Sequence, residues 1–315
     1  MKFLHTSDLH LGKKLDGVSR LDEQTAVLAE ITEICDANDI DVVIISGDVF
    51  DTFMPSAEAE NLFFDFAAKT AAKKRVVVVI SGNHDDGDRL NASKLISEKY
   101  GVYLCGKNNS YAAARFGRVS LAACGEYFID LKCDDGEGVH IVTLPYFSES
   151  PEGEVVDREE DYGERVGRIL GKAADENAFG FPVVCVSHLF MLGGVVTEGE
   201  RAIDLGGARV VSPEAIPQSA VYTALGHLHR RQTVKKERNI IYSGSPLQYS
   251  YDESGTEKSV TVFEIEGGKL SDLQVVGLKC GKRLACVTAY GVAGIDEAMK
   301  GEEDKFVCLT LYVDG

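Results

Sequence analysis

The sequence predicts an α/β protein in which a core of β-sheet is covered by helices on both faces. Over about the first 250 residues, short apolar runs alternate with segments of helical spacing. Val42–Ser46 and Val76–Ile80 consist of Val and Ile apart from one serine. Runs without polar alternation are typical of strands buried on both faces. From about Asn239 onward, strand-like segments follow one another through short turns, which indicates a different architecture towards the C-terminus.

The first part of the chain supplies strands and helices in alternation. Apolar residues at three- and four-residue spacing indicate the helices, and short apolar runs indicate the strands. Pro55 suits the first position of a helix, so we expect it to open the second helix. The predicted strands are Phe3–Thr6, Val42–Ser46, Val76–Ile80, Val119–Ala123, Val139–Leu144, Val183–Val186 and Val221–Leu225. The predicted helices are Leu21–Cys35, Ser56–Ala72, Arg89–Glu98 and Asp161–Ala174.

The C-terminal part of the chain predicts a small second domain. Strands are expected at Ile240–Tyr242, Ser259–Ile265 and Leu273–Leu278, followed by a β-α-β unit of Leu284–Tyr290, Ile295–Lys300 and Phe306–Val313. We therefore place one domain at residues 1–276 and a second at residues 277–315. Because the chain stops at Gly315 directly after a strand, we expect this second domain to be partial and C-terminally truncated.

Composition is that of an ordinary globular protein. Hydrophobic residues make up 44% and charged residues 26% of the 315 residues, which excludes a disordered or fibrous chain. No run of about 18 apolar residues occurs, which excludes a membrane-spanning helix. The eight cysteines show no paired spacing, and the N-terminus turns polar within five residues. We therefore expect free thiols, no secretion signal, a cytoplasmic location and no membrane partner.

The charge is strongly acidic and unevenly spread. The formal net charge is −17, which taken alone argues against nucleic acid as a partner. Residues 130–168 hold twelve acidic and four basic residues, and we expect them to form a solvated face. A site for a polyanion in the rest of the chain would need bound cations or the charge of a partner.

Polar residues with metal-binding side chains follow the predicted strands, each just past the strand's end. They are Asp8, His10, Asp48, Asn83, His188, His227 and His229, with His84 and Asp85 directly after Asn83. The carboxyl ends of strands in α/β sheets are where ligand crevices form. Imidazole with carboxylate and amide oxygens, without thiolate, suits Mn, Fe or Zn better than Ca. Seven ligands suit two ions that share a bridging carboxylate.

The order of the motifs DLH, GDVFD, GNHD, SH and GHLH is similar to that of the calcineurin-like metallophosphoesterase superfamily. Within it, LHTSDLHLGK, SGDVFDT, GNHDDGDRL, SHLFMLGG, GHLHRRQ and YSGSPLQYSYDE resemble the SbcD family of bacterial DNA nuclease subunits. The specific motifs cover about residues 1–275. The resemblance implies a two-sheet α/β/β/α sandwich, the metallophosphoesterase nuclease domain, with a small α+β capping domain that binds DNA.

The resemblance also implies roles for the site residues. One metal site would be formed by Asp8, His10, Asp48 and His229, and the other by Asp48, Asn83, His188 and His227, with Asp48 bridging. The family's usual cofactor is two Mn²⁺ per chain, with Mg²⁺, Fe or Zn²⁺ as alternatives. His84 would face the scissile phosphate and Asp85 would orient His84, both as catalytic residues. Asp51 stands where archaeal and eukaryotic relatives tend to have a histidine.

The function implied by the resemblance is a Mn-dependent DNA nuclease in DNA repair, recombination and replication. Such enzymes act as double-strand exonucleases and as hairpin or single-strand endonucleases through a two-metal mechanism. The implied partners are DNA, an SbcC-like ATPase coiled-coil subunit, and a second copy of the chain, paired through helices that include Leu62–Phe66. Candidate DNA contacts are Lys13, Lys14, Arg89, Arg230 and Arg231. The alternatives are another calcineurin-like phosphodiesterase or phosphatase, and a non-catalytic metal-binding scaffold.

Overall fold

The computed structural model describes residues 1–106, 108–147, 160–197 and 209–313. Part of the acidic stretch at 130–168 and the last two residues of the predicted second domain lie outside these ranges. The strands are β1 Lys2–Thr6, β2 Lys14–Leu15, β3 Val18–Ser19, β4 Val42–Ser46, β5 Val76–Ile80, β6 Val102–Cys105, β7 Arg115–Phe116, β8 Val119–Gly125, β9 Phe128–Cys133, β10 Gly138–Leu144, β11 Val183–His188, β12 Phe190–Met191, β13 Val210–Val211, β14 Ala220–Gly226, β15 Gln232–Lys235, β16 Ile240–Tyr242, β17 Ser259–Glu266, β18 Lys269–Gly277, β19 Leu284–Tyr290 and β20 Phe306–Tyr312. The helices are α1 Leu21–Ala37, α2 Ala57–Ala71, α3 Gly87–Asn91, α4 Lys94–Ser97, α5 Tyr162–Asp175 and α6 Ile295–Ala298.

Two mixed sheets form the body of the protein. Among the described residues, six strands form the first sheet in the order β18-β17-β1-β4-β5-β6, and eight form the second in the order β15-β16-β14-β11-β10-β9-β8-β7. The strands β1, β4, β5 and β6 run parallel, and so do β10, β11, β14 and β16. Parallel central strands place the carboxyl ends of each sheet along one edge.

The two sheets pack face to face, with a helical layer outside each. On β4, Val42 and Ile44 belong to the apolar cluster between the sheets, which also contains Val184 of β11. The alternate residues Val43 and Ile45 pack against α1 and α2. The outer face of the second sheet packs against α5. Because side chains alternate across a strand, an uninterrupted apolar run fills both layers, and the predicted α/β/β/α sandwich is confirmed.

Several helix boundaries differ from the prediction. The helix α2 begins at Ala57, and Pro55 does not open it. Ser56 is the N-cap, because its side chain accepts a hydrogen bond from the backbone N–H of Ala59. The helix predicted at Arg89–Glu98 is interrupted, and it divides into α3, α4 and a short 3₁₀ turn. Asp86 caps the first piece by accepting from the N–H groups of Asp88 and Arg89.

The C-terminal segment adds strands to the first sheet and then leaves it. The antiparallel hairpin β17–β18 pairs Ser259 with Gly277, and Gly277 is the last residue along the chain that belongs to the first sheet. The strands β19 and β20 pair in parallel around α6, so the predicted β-α-β unit is present. The first residue of β19, Leu284, donates its N–H to Gln248 Oε1 at 2.6 Å and accepts from Ser254 Oγ at 2.9 Å. A domain boundary at 276/277 stays a prediction.

None of the helices in the described part of the chain is long and apolar enough to cross a membrane.

Candidate metal centre

The seven predicted metal ligands come together where the carboxyl ends of the two sheets meet. Asp8 and His10 follow β1, Asp48 follows β4, and Asn83 follows β5 in the first sheet. His188 ends β11, and His227 and His229 follow β14 in the second sheet. Each of the seven has an exposed fraction of 4% or less. Buried polar groups at this density need partners or cations, so the cluster is a candidate metal centre.

Four of the seven residues have a positive φ angle, a backbone conformation that residues other than glycine rarely adopt. The φ angles are +53° at Asp8, +44° at His10, +49° at Asp48 and +110° at His227. Hydrogen bonds between the loops hold this backbone, since Asp8 N donates to Gly47 O and His10 N donates to Asp48 O, both at 3.0 Å. Strained non-glycine backbone is concentrated at functional sites.

Two glycines let the loops approach one another closely. A Cβ atom at Gly226 would lie 1.9 Å from the carbonyl oxygen of Ser46, and one at Gly82 would lie 2.2 Å from Asp48 Oδ1. Both positions therefore need glycine for space, and not for a left-handed φ. They allow the loops of the two sheets to deliver their ligands to one point.

The first group of donor atoms consists of Asp8, His10 and His229. One ligand atom from each lies within 4.8 Å of the others. His10 Nε2 and His229 Nε2 face each other at 3.0 Å, so both imidazoles present the same nitrogen to one place. A pair of imidazoles and a carboxylate arranged in this way can hold one divalent cation.

The second group of donor atoms surrounds Asn83. Asn83 Oδ1 lies 2.9 Å from His188 Nε2 and 3.2 Å from His227 Nδ1. Asp48 Oδ2 lies 3.4 Å from His188 Nε2 and 3.6 Å from His10 Nε2. Asp48 therefore lies between the two groups, where a bridging ligand would have to be.

Burial and neighbouring charges set the protonation of the candidate ligands. It lowers the pKa of His10 and of His227 to about 3, so both imidazoles are neutral near pH 7. Burial would raise the pKa of Asp48, but His188 holds it well below its usual range. Burial would in turn lower the pKa of His188, but Asp48 raises it to about 9, so a cation here competes with a proton. Neutral imidazoles, ionised carboxylate and an amide fit divalent metal ions.

His84 lies at the open edge of this cluster. It is 8% exposed, more than any of the four ligand histidines. Its Nδ1 donates to the backbone carbonyl of Asp51 at 2.8 Å, so Nδ1 carries the proton in the neutral ring. A ring nitrogen of His84 also lies within 4.8 Å of His10 and Asp48 ligand atoms. His84 is therefore close enough to act on a molecule bound at the cluster.

Asp85 contacts backbone groups of two loops, and its expected role in orienting His84 stays a prediction. Its two carboxylate oxygens accept hydrogen bonds from the N–H groups of Val49, Phe50 and Gly82, at 2.8 to 3.0 Å. Burial, reinforced by the charge of Asp48, raises its pKa to about 7. Asp85 thus joins the loop after β4 to the loop after β5. The carbonyl of Asp51 supplies the orientation of His84.

The basic residues proposed to contact DNA are placed differently from one another. Lys14 and Arg230 are exposed to solvent. Lys13 forms an ion pair with Asp51 at 2.9 Å, and Arg89 forms one with Glu60 at 2.8 Å. Arg231 is half-buried, and its Nε is enclosed. Of these five, Lys14 and Arg230 therefore offer the most accessible charge near the metal loops.

Two carboxylates near the ligands were not assigned a role from the sequence. Asp51 Oδ1 lies 3.5 Å from His10 Nδ1, and Glu253 Oε1 lies 3.5 Å from His229 Nδ1. Burial would raise the pKa of Glu253, but His229 and the Lys258 ammonium lower it to about 2. Glu253 ends the SPLQYSYDE segment, which the sequence marks only through its resemblance to a family motif. Its contact with His229 joins residues far apart in the chain, which local patterns do not reveal.

Comparisons with known proteins bear on this centre. Residues 1–231 match the family described as Calcineurin-like phosphoesterase. The chain is 37% identical over 293 residues to the SbcD subunit of the SbcCD nuclease from Bacillus subtilis (strain 168), a match that covers 90% of this chain and 71% of that protein. It is 33% identical over 280 residues to the SbcD subunit of the same nuclease from Rhodobacter capsulatus, covering 85% and 67%. A solved structure of a hypothetical protein from Thermus thermophilus matches at 13% identity and a TM-score of 0.49, covering 89% of this chain and 100% of that chain, and this likeness carries no argument.

Proposed function

Because the chain belongs to the calcineurin-like phosphoesterase family, as its motifs predicted, we propose that it is a Mn²⁺-dependent DNA nuclease that hydrolyses phosphodiester bonds with two metal ions. The observation that carries the proposal is the convergence of seven buried candidate ligands, with Asp48 among them at the centre and His84 at the open edge. The two curated relatives are both named nucleases, which supports DNA as the substrate. Two-metal sites are a recurrent solution for hydrolysis of phosphate esters.

The ligands would hold the ions in two positions that share Asp48. Asp8, His10, Asp48 and His229 would form one position, and Asp48, Asn83, His188 and His227 the other. When bound, the ions would supply positive charge that polarises the phosphate and makes water a better nucleophile. They would also let a polyanion approach a chain whose formal net charge is −17.

His84 is proposed to act on the phosphate and not as a ligand. Its Nδ1–H is held by the Asp51 carbonyl at 2.8 Å, which fixes the ring and leaves Nε2 to exchange a proton. As an imidazolium, His84 would donate from Nε2 to the phosphate or to the leaving oxygen. Asp85 would support this chemistry by holding the loop that carries His84 against the loop that carries Asp48.

The proposed partners are DNA and an SbcC-like ATPase coiled-coil subunit, in a cytoplasmic complex that processes DNA ends in repair, recombination and replication. Lys14 and Arg230 are exposed beside the metal loops and are our candidates for backbone contacts. Lys13 and Arg89 already pair with carboxylates, which reduces the charge that they offer. A chain with so large an acidic excess would hold DNA weakly, so the partner would supply much of the binding.

The nuclease proposal predicts metal-dependent cleavage of DNA. With Mn²⁺, we expect the chain to shorten linear duplexes and to open a fluorescent DNA hairpin, because the centre would hold two cations beside His84 as a proton donor. EDTA should abolish both reactions. Side-by-side assays on a small phosphodiester and a small phosphomonoester separate the alternatives. Turnover of the small esters without any cleavage of DNA would indicate another phosphoesterase, and no turnover of any substrate would indicate a scaffold.

We also propose that the chain pairs with a second copy of itself, through a face that includes α4. Phe63 and Phe66 of the segment first considered for this role are buried in the core. In the neighbouring α4 and the turn after it, Leu95, Ile96 and Tyr100 are exposed instead, beside a cavity of about 240 Å³ that Phe64 and Ala68 also line. Exposed apolar patches of this kind mark interaction surfaces.

If the chain pairs through this face, a charged substitution there should halve the mass of the particle in solution. Ile96→Glu should convert a particle of twice the chain mass to one of 34.1 kDa in sedimentation or light-scattering measurements. Val275→Glu places the same charge on another exposed apolar residue and should leave the mass unchanged. A wild-type chain that stays monomeric at high concentration would contradict the proposal.

A further inference from the structure

The two histidines of the first donor group are held in the same way. His10 and His229 turn Nε2 towards each other at 3.0 Å. Each turns its other nitrogen, Nδ1, towards a carboxylate 3.5 Å away, which is Asp51 for His10 and Glu253 for His229. A carboxylate behind the distal nitrogen of a ligand histidine fixes its tautomer and makes it a stronger donor to a metal ion.

Each of these carboxylates also contacts a lysine. Lys13 Nζ contacts Asp51 Oδ1 at 2.9 Å, and Lys258 Nζ contacts Glu253 Oε2. Lys258 also donates to the carbonyl of His229 at 2.8 Å, so it ties Glu253 to the loop of the ligand itself. The arrangement lysine, carboxylate, histidine therefore occurs twice around the first group.

In the second donor group, His188 is held differently. His188 Nδ1 donates to a neutral acceptor, the Ser46 carbonyl, at 2.8 Å. His227 turns Nδ1 inwards to Asn83 instead of outwards. The charges differ as well, because the first group contains Asp8 in addition to the shared Asp48, whereas the second contains the neutral amide of Asn83. Affinity for a hard divalent cation rises with the number of charged ligands.

We propose that the two metal positions are unequal, and that Asp51 and Glu253 are positioning residues that make the position of His10 and His229 bind a divalent cation first and more tightly. This inference rests on the proposed two-metal function and specifies how its centre fills. It gives Asp51 a role behind a ligand and not on the substrate.

Mn²⁺ binding to the full chain tests the proposal without an activity assay. Calorimetry of the wild type should resolve a tighter and a weaker equivalent. With one equivalent of Mn²⁺ per chain, the electron paramagnetic resonance spectrum should be that of an isolated Mn²⁺ ion. With two equivalents, the spectrum should be that of a spin-coupled pair of ions. Asn83→Ala should abolish the weaker equivalent and leave the tighter one, which assigns the tighter equivalent to the first group. Loss of the tighter equivalent instead would overturn the proposal.

The positioning role predicts a selective loss of affinity. Asp51→Asn and Glu253→Gln should each weaken the tighter equivalent by about 10- to 100-fold and leave the weaker one unchanged. If Glu253→Gln alone fails to fold because Lys258 loses its carboxylate, the double variant with Lys258→Met removes both charges and carries the same expectation.

The matched control is Asp130→Asn. Asp130 contacts His140 Nδ1 at 2.6 Å in a buried carboxylate–histidine pair within the second sheet, and neither residue is a ligand. This variant should lower the melting temperature without changing either Mn²⁺ affinity. Equal affinities in the wild type, or a tighter equivalent that is unchanged in both Asp51 and Glu253 variants, would refute the inference. A chain that binds Mn²⁺ as expected but cleaves no DNA would refute the proposed function and leave the inference intact.

Discussion

Asparagine in place of Asp48 is expected to remove both metal ions and to abolish cleavage. Asp48 Oδ2 lies 3.6 Å from His10 Nε2 and 3.4 Å from His188 Nε2, so one oxygen serves both donor groups. The substituted side chain would keep the hydrogen bond that Oδ1 accepts from the backbone N–H of His84 at 2.8 Å, so the loop should stay in place. What is lost is the shared negative charge. Metal ions lower the activation free energy by several kcal/mol, and each ~1.36 kcal/mol changes the rate tenfold. We therefore expect the cleavage rate to fall by about 10³-fold or more.

The measurement for this variant is metal content together with the cleavage rate. Asp41→Asn is a suitable control, because Asp41 is a buried carboxylate that lies directly before β4, at the opposite end of the strand from Asp48. It pairs with Arg118 at 2.6 Å and should affect stability only. If Asp48→Asn still bound two equivalents at wild-type affinity, Asp48 would not be the bridging ligand.

The second large effect is expected from His84→Gln. Both metal ions should remain, because the seven ligands are untouched, but cleavage should fall by about 10²- to 10⁴-fold, the usual contribution of general acid–base catalysis. Glutamine can still donate a hydrogen bond, but it cannot transfer a proton. The loss should therefore appear mainly in kcat and less in KM.

A stoichiometry of one ion in His84→Gln would instead make His84 a ligand, as its distance from His10 and Asp48 allows. Full activity would remove His84 from the mechanism altogether. His140→Gln serves as the control, because it places the same substitution at a buried histidine that contacts Asp130 and the carbonyl of Ala173, away from the centre. Cleavage per folded molecule should be unchanged in that variant.

The sequence predicted the central strands and the convergence of the candidate ligands well, because both depend on local signals. Val42–Ser46 and Val76–Ile80 match β4 and β5 residue for residue, since a strand buried on both faces consists mainly of apolar residues. The candidate ligands follow such strands directly, so the end of each apolar run marks their place. Asp8 and Asp48 could be recognised for this reason without any knowledge of the sheet order.

What the sequence could not predict depends on contacts between distant residues. The strand β9 was missed because Asp130 and Lys132 interrupt its apolar pattern, and Asp130 can be buried only because His140 of the next strand contacts it. The contacts of Asp85 are another example, because its carboxylate accepts hydrogen bonds from the N–H groups of Val49 and Phe50, some 35 residues earlier in the chain. Local spacing carries no information about such partners.

The strand order of the first sheet has a consequence for when the enzyme can become active during its synthesis. β1, which precedes Asp8 and His10, lies between β4 and β17, so its second neighbour is made only when the ribosome has passed Glu266. The backbone N–H of His227 donates to Asp8 Oδ1 across 219 residues, which is a contact of very long range. Contacts of this kind form late, because the entropy of closing so long a loop must be overcome first. The nascent chain therefore has no complete centre until nearly the whole first sheet has been translated and folded, so metal binding and any metal-dependent hydrolysis would begin only once its synthesis is almost finished.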